Sequence, residues 1–145
     1  MKSMKLIYGL MLGIMLMAFT FGGDSFTIHL NNKQVIEHYV HSKKETPTLQ
    51  LAPDEKGLLT VFYSECGKIG TARTILLKDD QQNILKTWKY ADALTDHKPM
   101  EISVSELQAH LKKEKALNLV YQSREVKKET LLVTITAQKN VLTKN

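Results

Sequence analysis

From Phe26 onward the hydropathy of this chain repeats every second residue, in short runs, and that period is the strongest constraint on its fold. FTIHL sets Phe26, Ile28 and Leu30 against Thr27 and His29. MEISV repeats Met100, Ile102 and Val104; ALNLVYQ repeats Leu117, Leu119 and Tyr121. LLVTITA sets Leu131, Val133, Ile135 and Ala137 against Leu132, Thr134 and Thr136. Successive side chains of a strand point to opposite faces, so each run has one apolar face. ILKTWKY places Ile84, Trp88 and Tyr90 together, while LLTVFYS and TARTILLK are apolar on both faces, as central strands are. Strands with one apolar face bury it by stacking two sheets. The expectation is a mainly β chain: an antiparallel β-sandwich of immunoglobulin-like or Greek-key type, with about seven to nine strands. A small barrel is the alternative.

Turn chemistry separates the runs. Asn31-Asn32 follows the first, residues 54–57 precede the Leu58 run, and KDDQQN and REVKKE join later strands as hairpin loops. Pro47, Pro53 and Pro99 fall between periodic segments. SVSELQAHLKKEK breaks the pattern. Leu107 and Leu111 lie four apart, lysines gather at its C-terminal end, and Ser103 with Glu106, or Ser105 with Gln108, fits a capping box. One short helix over residues 104–113 is expected. KQVIEHYVHSKK fits helix or strand, and its β-branched and aromatic residues favour strand.

The N-terminus is set apart from this fold. Lys2 and Lys5 lead an uncharged run from Leu6 to Phe21, shorter than the roughly 20 residues a spanning helix needs. It reads as a signal peptide over residues 1–23, followed by a single domain over residues 24–145; an uncleaved anchor is the alternative. The chain is then periplasmic or secreted, with no membrane span after cleavage. The net charge of +5 is almost all lysine, scattered in pairs. A nucleic-acid surface would more often cluster Arg and Lys with aromatics, so no nucleic-acid partner is expected. Exposed sheet edges leave dimerisation open.

YSECGKIGTAR, residues 63–73, concentrates the candidate chemistry: Cys66, which is the one cysteine, with Lys68 and Arg73. A phosphate-binding loop is excluded, because Ile69 follows Lys68 and no glycine stands five residues before Gly67. A reactive thiol is conceivable, with Lys68 and Arg73 favouring the thiolate and one of five histidines as base. The plainer reading is a glycine-assisted turn. His38 and His41 are three apart, which on a strand puts them on opposite faces and prevents shared ligation. Asp92, Asp96 and His97 lie together in one loop, without the spacing of a calcium loop. Trp88 and Tyr90 form either a binding platform or part of the core. In sandwiches of this class, loops at one end carry binding residues. The expectation is therefore a non-catalytic binding or accessory module without a cofactor. Its partner would be a protein or an envelope component, met through Cys66, Lys68, Arg73, Asp92 and Trp88. Metal handling by Cys66 with histidines, or a thiol-dependent enzyme, are the alternatives.

Overall fold

The computed structural model describes residues 23–94 and 98–139. The expected signal peptide therefore lies outside the described residues except for Gly23, and so do Asp96 and His97. Strands β1 (Ser25–Leu30) and β2 (Lys33–Tyr39) form a hairpin. Asn31 and Asn32 turn it with φ of 50° and 65°, the left-handed pair that matches the twist of a two-residue hairpin. KQVIEHY is thus a strand, as its composition favours. β3 (Thr48–Leu51), β4 (Leu58–Ser64), β5 (Thr74–Lys78), β6 (Ile84–Lys89), β7 (Met100–Ser103), β8 (Ala116–Gln122) and β9 (Thr130–Ala137) complete the set. They form a four-stranded sheet, β2-β1-β4-β7, and a five-stranded sheet, β3-β9-β8-β5-β6. The result is the β-sandwich of nine strands that the alternating runs imply.

One pairing departs from an all-antiparallel arrangement: β3 runs parallel to β9. The cause is the route of the chain. β2 ends at one end of the sandwich, residues 40–47 cross to the other sheet there, and β3 sets out from that same end as β9 does.

The inner faces carry the alternating residues except at the start of β9, where a register shift against β8 buries Leu132 and exposes Leu131, the reverse of the expected alternation. Phe26, Ile28, Leu59, Val61, Ile75, Leu77, Met100, Ile102, Leu117, Leu119, Val133 and Ile135 are all 2 % exposed or less. Each such side chain contributes roughly 1.5–3 kcal/mol on leaving water. Helix α1 (Val104–Leu111) buries Val104 and Leu107 and contacts β7, β8 and β9. Ser103 is its N-cap, but no side-chain cap bond forms. Its hydroxyl meets that of Ser105 instead, and Glu106 turns to the indole of Trp88. The capping box read from the sequence is therefore absent. The helix is held by its buried face.

Registers place four connections at one end. Ser25 lies beside both Tyr39 and Ser64, Thr74 beside both Lys89 and Gln122, and Tyr121 beside Thr130. Residues 40–47, 65–73, 90–94 with 98–99, and 123–129 therefore emerge together. Helix α1, the Asn31 turn and the Asp79 turn occupy the other end.

Candidate functional site

The loop-bearing end is closed inside by an aromatic stack. Phe26 and Tyr63 stack with centroids 6.2 Å apart, and Tyr63 stacks on Tyr121 at 4.0 Å. Both phenols point toward the loops, as alternation from Val61 and Leu119 dictates. Tyr63 donates to Asp24 Oδ2 at 3.0 Å and Tyr121 donates to Glu65 Oε1 at 2.7 Å. Burial pushes both phenols above the ordinary tyrosine range, and the neighbouring carboxyl groups add to the shift. They remain hydrogen-bond donors at any pH the fold meets. Glu65 is only 4 % exposed, and its Oε2 has no partner. Gly70 makes room for this pair: a Cβ there would stand 2.8 Å from Glu65 Oε1 and 3.0 Å from the Tyr121 hydroxyl.

Above the stack, three loops are laced together. Ala93 N–H donates to the Gly70 carbonyl at 2.8 Å, and Ala72 N–H to Asp92 Oδ1 at 2.8 Å. Arg124 N–H donates to the Thr71 carbonyl at 2.9 Å, and Thr71 donates to Glu125 through both its N–H and its hydroxyl. Those donors from Thr71 hold the Glu125 carboxyl down to about 2. Residues 70–72 thus meet residues 92–93.

The five residues singled out from the sequence do not form one site. Cys66 is exposed in a turn that Lys68 N–H closes onto the Glu65 carbonyl, and Gly67 takes φ of 66° there. Asp24 Oδ1 accepts from Cys66 N–H, but among the described residues the thiol has no hydrogen-bond partner. Lys68 is exposed beside it. Arg73 is not the free cation that was expected next to Cys66. It is 2 % exposed, and it donates through Nε to the Ala91 carbonyl at 3.0 Å and through Nη1 to the Lys98 carbonyl at 2.9 Å. The guanidinium tethers Ala91 and Lys98, because a long multi-donor side chain can satisfy carbonyls from inside a sheet. Asp92 is exposed, and one carboxylate oxygen caps the loop at Ala72, whose φ is 50°. Trp88 stands apart from the loops and is not an open platform. Half-buried, it donates to Glu106 Oε2 at 3.1 Å, while Tyr90 donates to the Glu101 carbonyl at 2.8 Å. Burial, with Glu106 next, pushes the Tyr90 phenol up to about 12. Together Trp88 and Tyr90 close the seam between edge strands β6 and β7.

The opposite seam is open at the loop end. β3 pairs with β9 only over Thr134–Ala137. Among the described residues, 130–133 have no strand partner on that side. A groove of ≈ 410 Å³ fills the gap. Phe26, His38 and Val40 form one wall, and Val126, Thr130 and Leu131 form the other. Ser42, Lys44 and Thr46 of the crossing segment lie across it, with Asp24 and Glu129 at its margins. Glu129 is held by Lys78 and Gln122.

His38 and His41 both line this groove, which corrects the expectation that a strand must separate them. The strand ends at Tyr39, and Ser42 N–H returns to the Tyr39 carbonyl, so His41 is on a turn. The ring of His38 lies 5.4 Å from that of Phe26. Among the described residues, no three His, Cys, Asp or Glu side chains gather as a metal set. No helix among them is long and apolar enough to cross a membrane. Sequence reasoning missed the groove, and its one available signal was Pro47, which stops β3.

No protein-family model, curated protein or solved structure matches this chain. What the fold and the groove define is a two-sheet β-sandwich with one seam sealed and the other partly open.

Proposed function

We propose that the chain is an exported, non-catalytic binding or accessory module of the periplasm, the cell envelope or the medium, and that it takes its ligand in the groove. The groove itself carries the reading. Its ≈ 410 Å³ lies within the range ligand sites occupy, and its lining sets the apolar Phe26, Val40, Val126 and Leu131 among a larger number of polar and charged side chains. It opens at the loop-bearing end, between residues 40–46 and residues 126–131. The lysine-led apolar N-terminus supports export. Metal handling and thiol catalysis have less support. Cys66 lies outside the groove, and Arg73, one of the two cations expected to favour its thiolate, is committed to two carbonyls.

The test is chemical-shift mapping of the isotope-labelled protein against a panel of sugars, small acids, divalent metals and peptides. Ligands of the groove move the signals of His38, Val126 and Leu131, and Leu131→Glu removes the effect. Shifts centred on Cys66 in the presence of a metal ion would replace the proposal with metal handling. Shifts scattered over the surface would refute it.

A further inference from the structure

We infer that the ligand of the groove is a small organic anion, an apolar body that carries a carboxylate or a phosphate monoester. This rests on the proposal that the groove is the binding site, and it names the chemical class of the ligand.

The charged side chains of the lining divide by what they already hold. Both carboxylates are committed. Asp24 accepts from the Tyr63 hydroxyl through Oδ2 and from Cys66 N–H through Oδ1, each at 3.0 Å. Glu129 accepts from Lys78 through Oε2 and from Gln122 through Oε1. Lys78 is not part of the lining, so it neutralises Glu129 from outside the groove. The four bases are uncommitted. Among the described residues, Lys44 and Lys128 form no ion pair. The rings of His38 and His41 are placed by packing. That of His38 lies 5.4 Å from the Phe26 ring, and that of His41 lies so close to Gly23 that a Cβ there would stand 2.8 Å from its Cδ2.

What the groove has left to offer is therefore positive charge and N–H donors. Lys44 and Lys128 repel one another and attract an anion placed between them. Each imidazole carries at least one N–H in either of its charge states, so His38 and His41 donate to an oxyanion whether or not they are protonated. A cationic ligand finds the reverse: the two carboxylates that could receive it are occupied, one of them by an ammonium group. The body of the ligand is set by the apolar part of the lining, Phe26, Val40, Val126 and Leu131. Carbon laid against these side chains leaves water, which supplies affinity without direction. The charged group supplies the direction. The volume of ≈ 410 Å³ stands at the lower end of the range for ligand pockets, so the guest is a small molecule.

The test is chemical-shift titration of the purified protein with short straight-chain carboxylates and alkyl phosphates, and with the uncharged alcohols of the same chain lengths. The anions should move the signals of His38 and Val126 and bind at least about tenfold more tightly than the matched alcohols, a difference of about 1.4 kcal/mol. That advantage should shrink as salt is raised from about 0.01 M to about 0.15 M, where the screening length falls from about 30 Å to about 8 Å. Lys44→Gln with Lys128→Gln should remove the advantage and leave the affinity for the alcohols unchanged. Both side chains are exposed, so the variant keeps the fold. Lys113→Gln with Lys115→Gln lowers the net charge equally at the other end of the sandwich and should change nothing. Anions and alcohols that move His38 and Val126 with equal affinity would overturn the anion and leave the groove as a site. So would a preference for anions that both double variants lose alike, since it would then come from net charge. Compounds of either kind that leave His38 and Val126 unmoved would overturn both readings.

Discussion

Tyr121→Phe removes a single oxygen from the interior and leaves the stack with Tyr63 in place, which makes it a clean probe of the loop-bearing end. The lost bond runs from the phenol to Glu65 Oε1 at 2.7 Å. Hydrogen bonds to charged groups contribute about 1.5–3 kcal/mol. Here the loss falls toward the upper part of that range. Glu65 is 4 % exposed and its other oxygen is already without a partner, so the substitution leaves the carboxyl group with neither oxygen bonded. A loss of about 3 kcal/mol is a large share of a domain stability of roughly 5–15 kcal/mol. With a urea slope of about 1–3 kcal/mol per molar it lowers the midpoint by at least about 1 M. The assay is equilibrium urea unfolding followed by fluorescence of Trp88, the one tryptophan in the chain. The companion is Glu65→Leu with Tyr121→Phe. Removing both polar partners together costs less than removing one, so the double variant should be more stable than Tyr121→Phe alone. A loss below about 0.5 kcal/mol for Tyr121→Phe, or strictly additive losses in the pair, would refute the account of a buried, half-satisfied carboxyl held by one phenol.

Gly70→Ala places a methyl group 2.8 Å from Glu65 Oε1 and 3.0 Å from the Tyr121 hydroxyl, and should cost about 1–3 kcal/mol in the same urea assay. Gly67→Ala meets nothing within 4 Å, so it should cost only the strain of positive φ, about 1–2 kcal/mol. For Glu125 the folded value near 2 lies below the ordinary 4.5, so its bonds to Thr71 stabilise the fold above about 4.5 and are lost as pH falls toward 2. Stability of the wild type should fall across that window more steeply than that of Glu125→Gln, measured by thermal unfolding at each pH. Parallel curves would show that the Thr71 tether contributes nothing. Arg73→Met should speed hydrogen exchange in residues 90–94, whose carbonyl at Ala91 it releases, with Arg73→Lys restoring only part of the protection.

What was legible in the sequence was local. Asn31-Asn32 announces its hairpin because only a few residues tolerate two successive left-handed angles, and the alternation of Leu117, Leu119 and Tyr121 identifies the inner face of β8 because the strand period is two. Helix α1 was found from Leu107 and Leu111, but its cap was misread, since Glu106 has a stronger claim on it in Trp88, 18 residues away in sequence. The candidate site was less legible for the same reason. Glu65 and Arg73 look like loop charges in the sequence. They are buried because residues far away supply their partners: Tyr121 for the first, the carbonyls of Ala91 and Lys98 for the second. His41 joins His38 only because the strand stops at Tyr39 and His41 lies on the turn that follows.

The two seams of the sandwich show how little sequence decides between a sealed protein and a receptive one. Both seams face the same problem: two sheet edges must be covered or left to water. At β6 and β7 two aromatic side chains solve it, since Trp88 and Tyr90 are long enough to bridge the gap and each carries a donor that reaches an acceptor on the far side. At β2 and β9 the covering element is backbone, and it stops where Pro47 denies it a donor. Two carboxylates of the groove lining are held in place: Asp24 accepts from Tyr63 and Cys66, and Glu129 accepts from Lys78 and Gln122. Side chains fixed in advance in this way lower the ordering cost of binding at a groove.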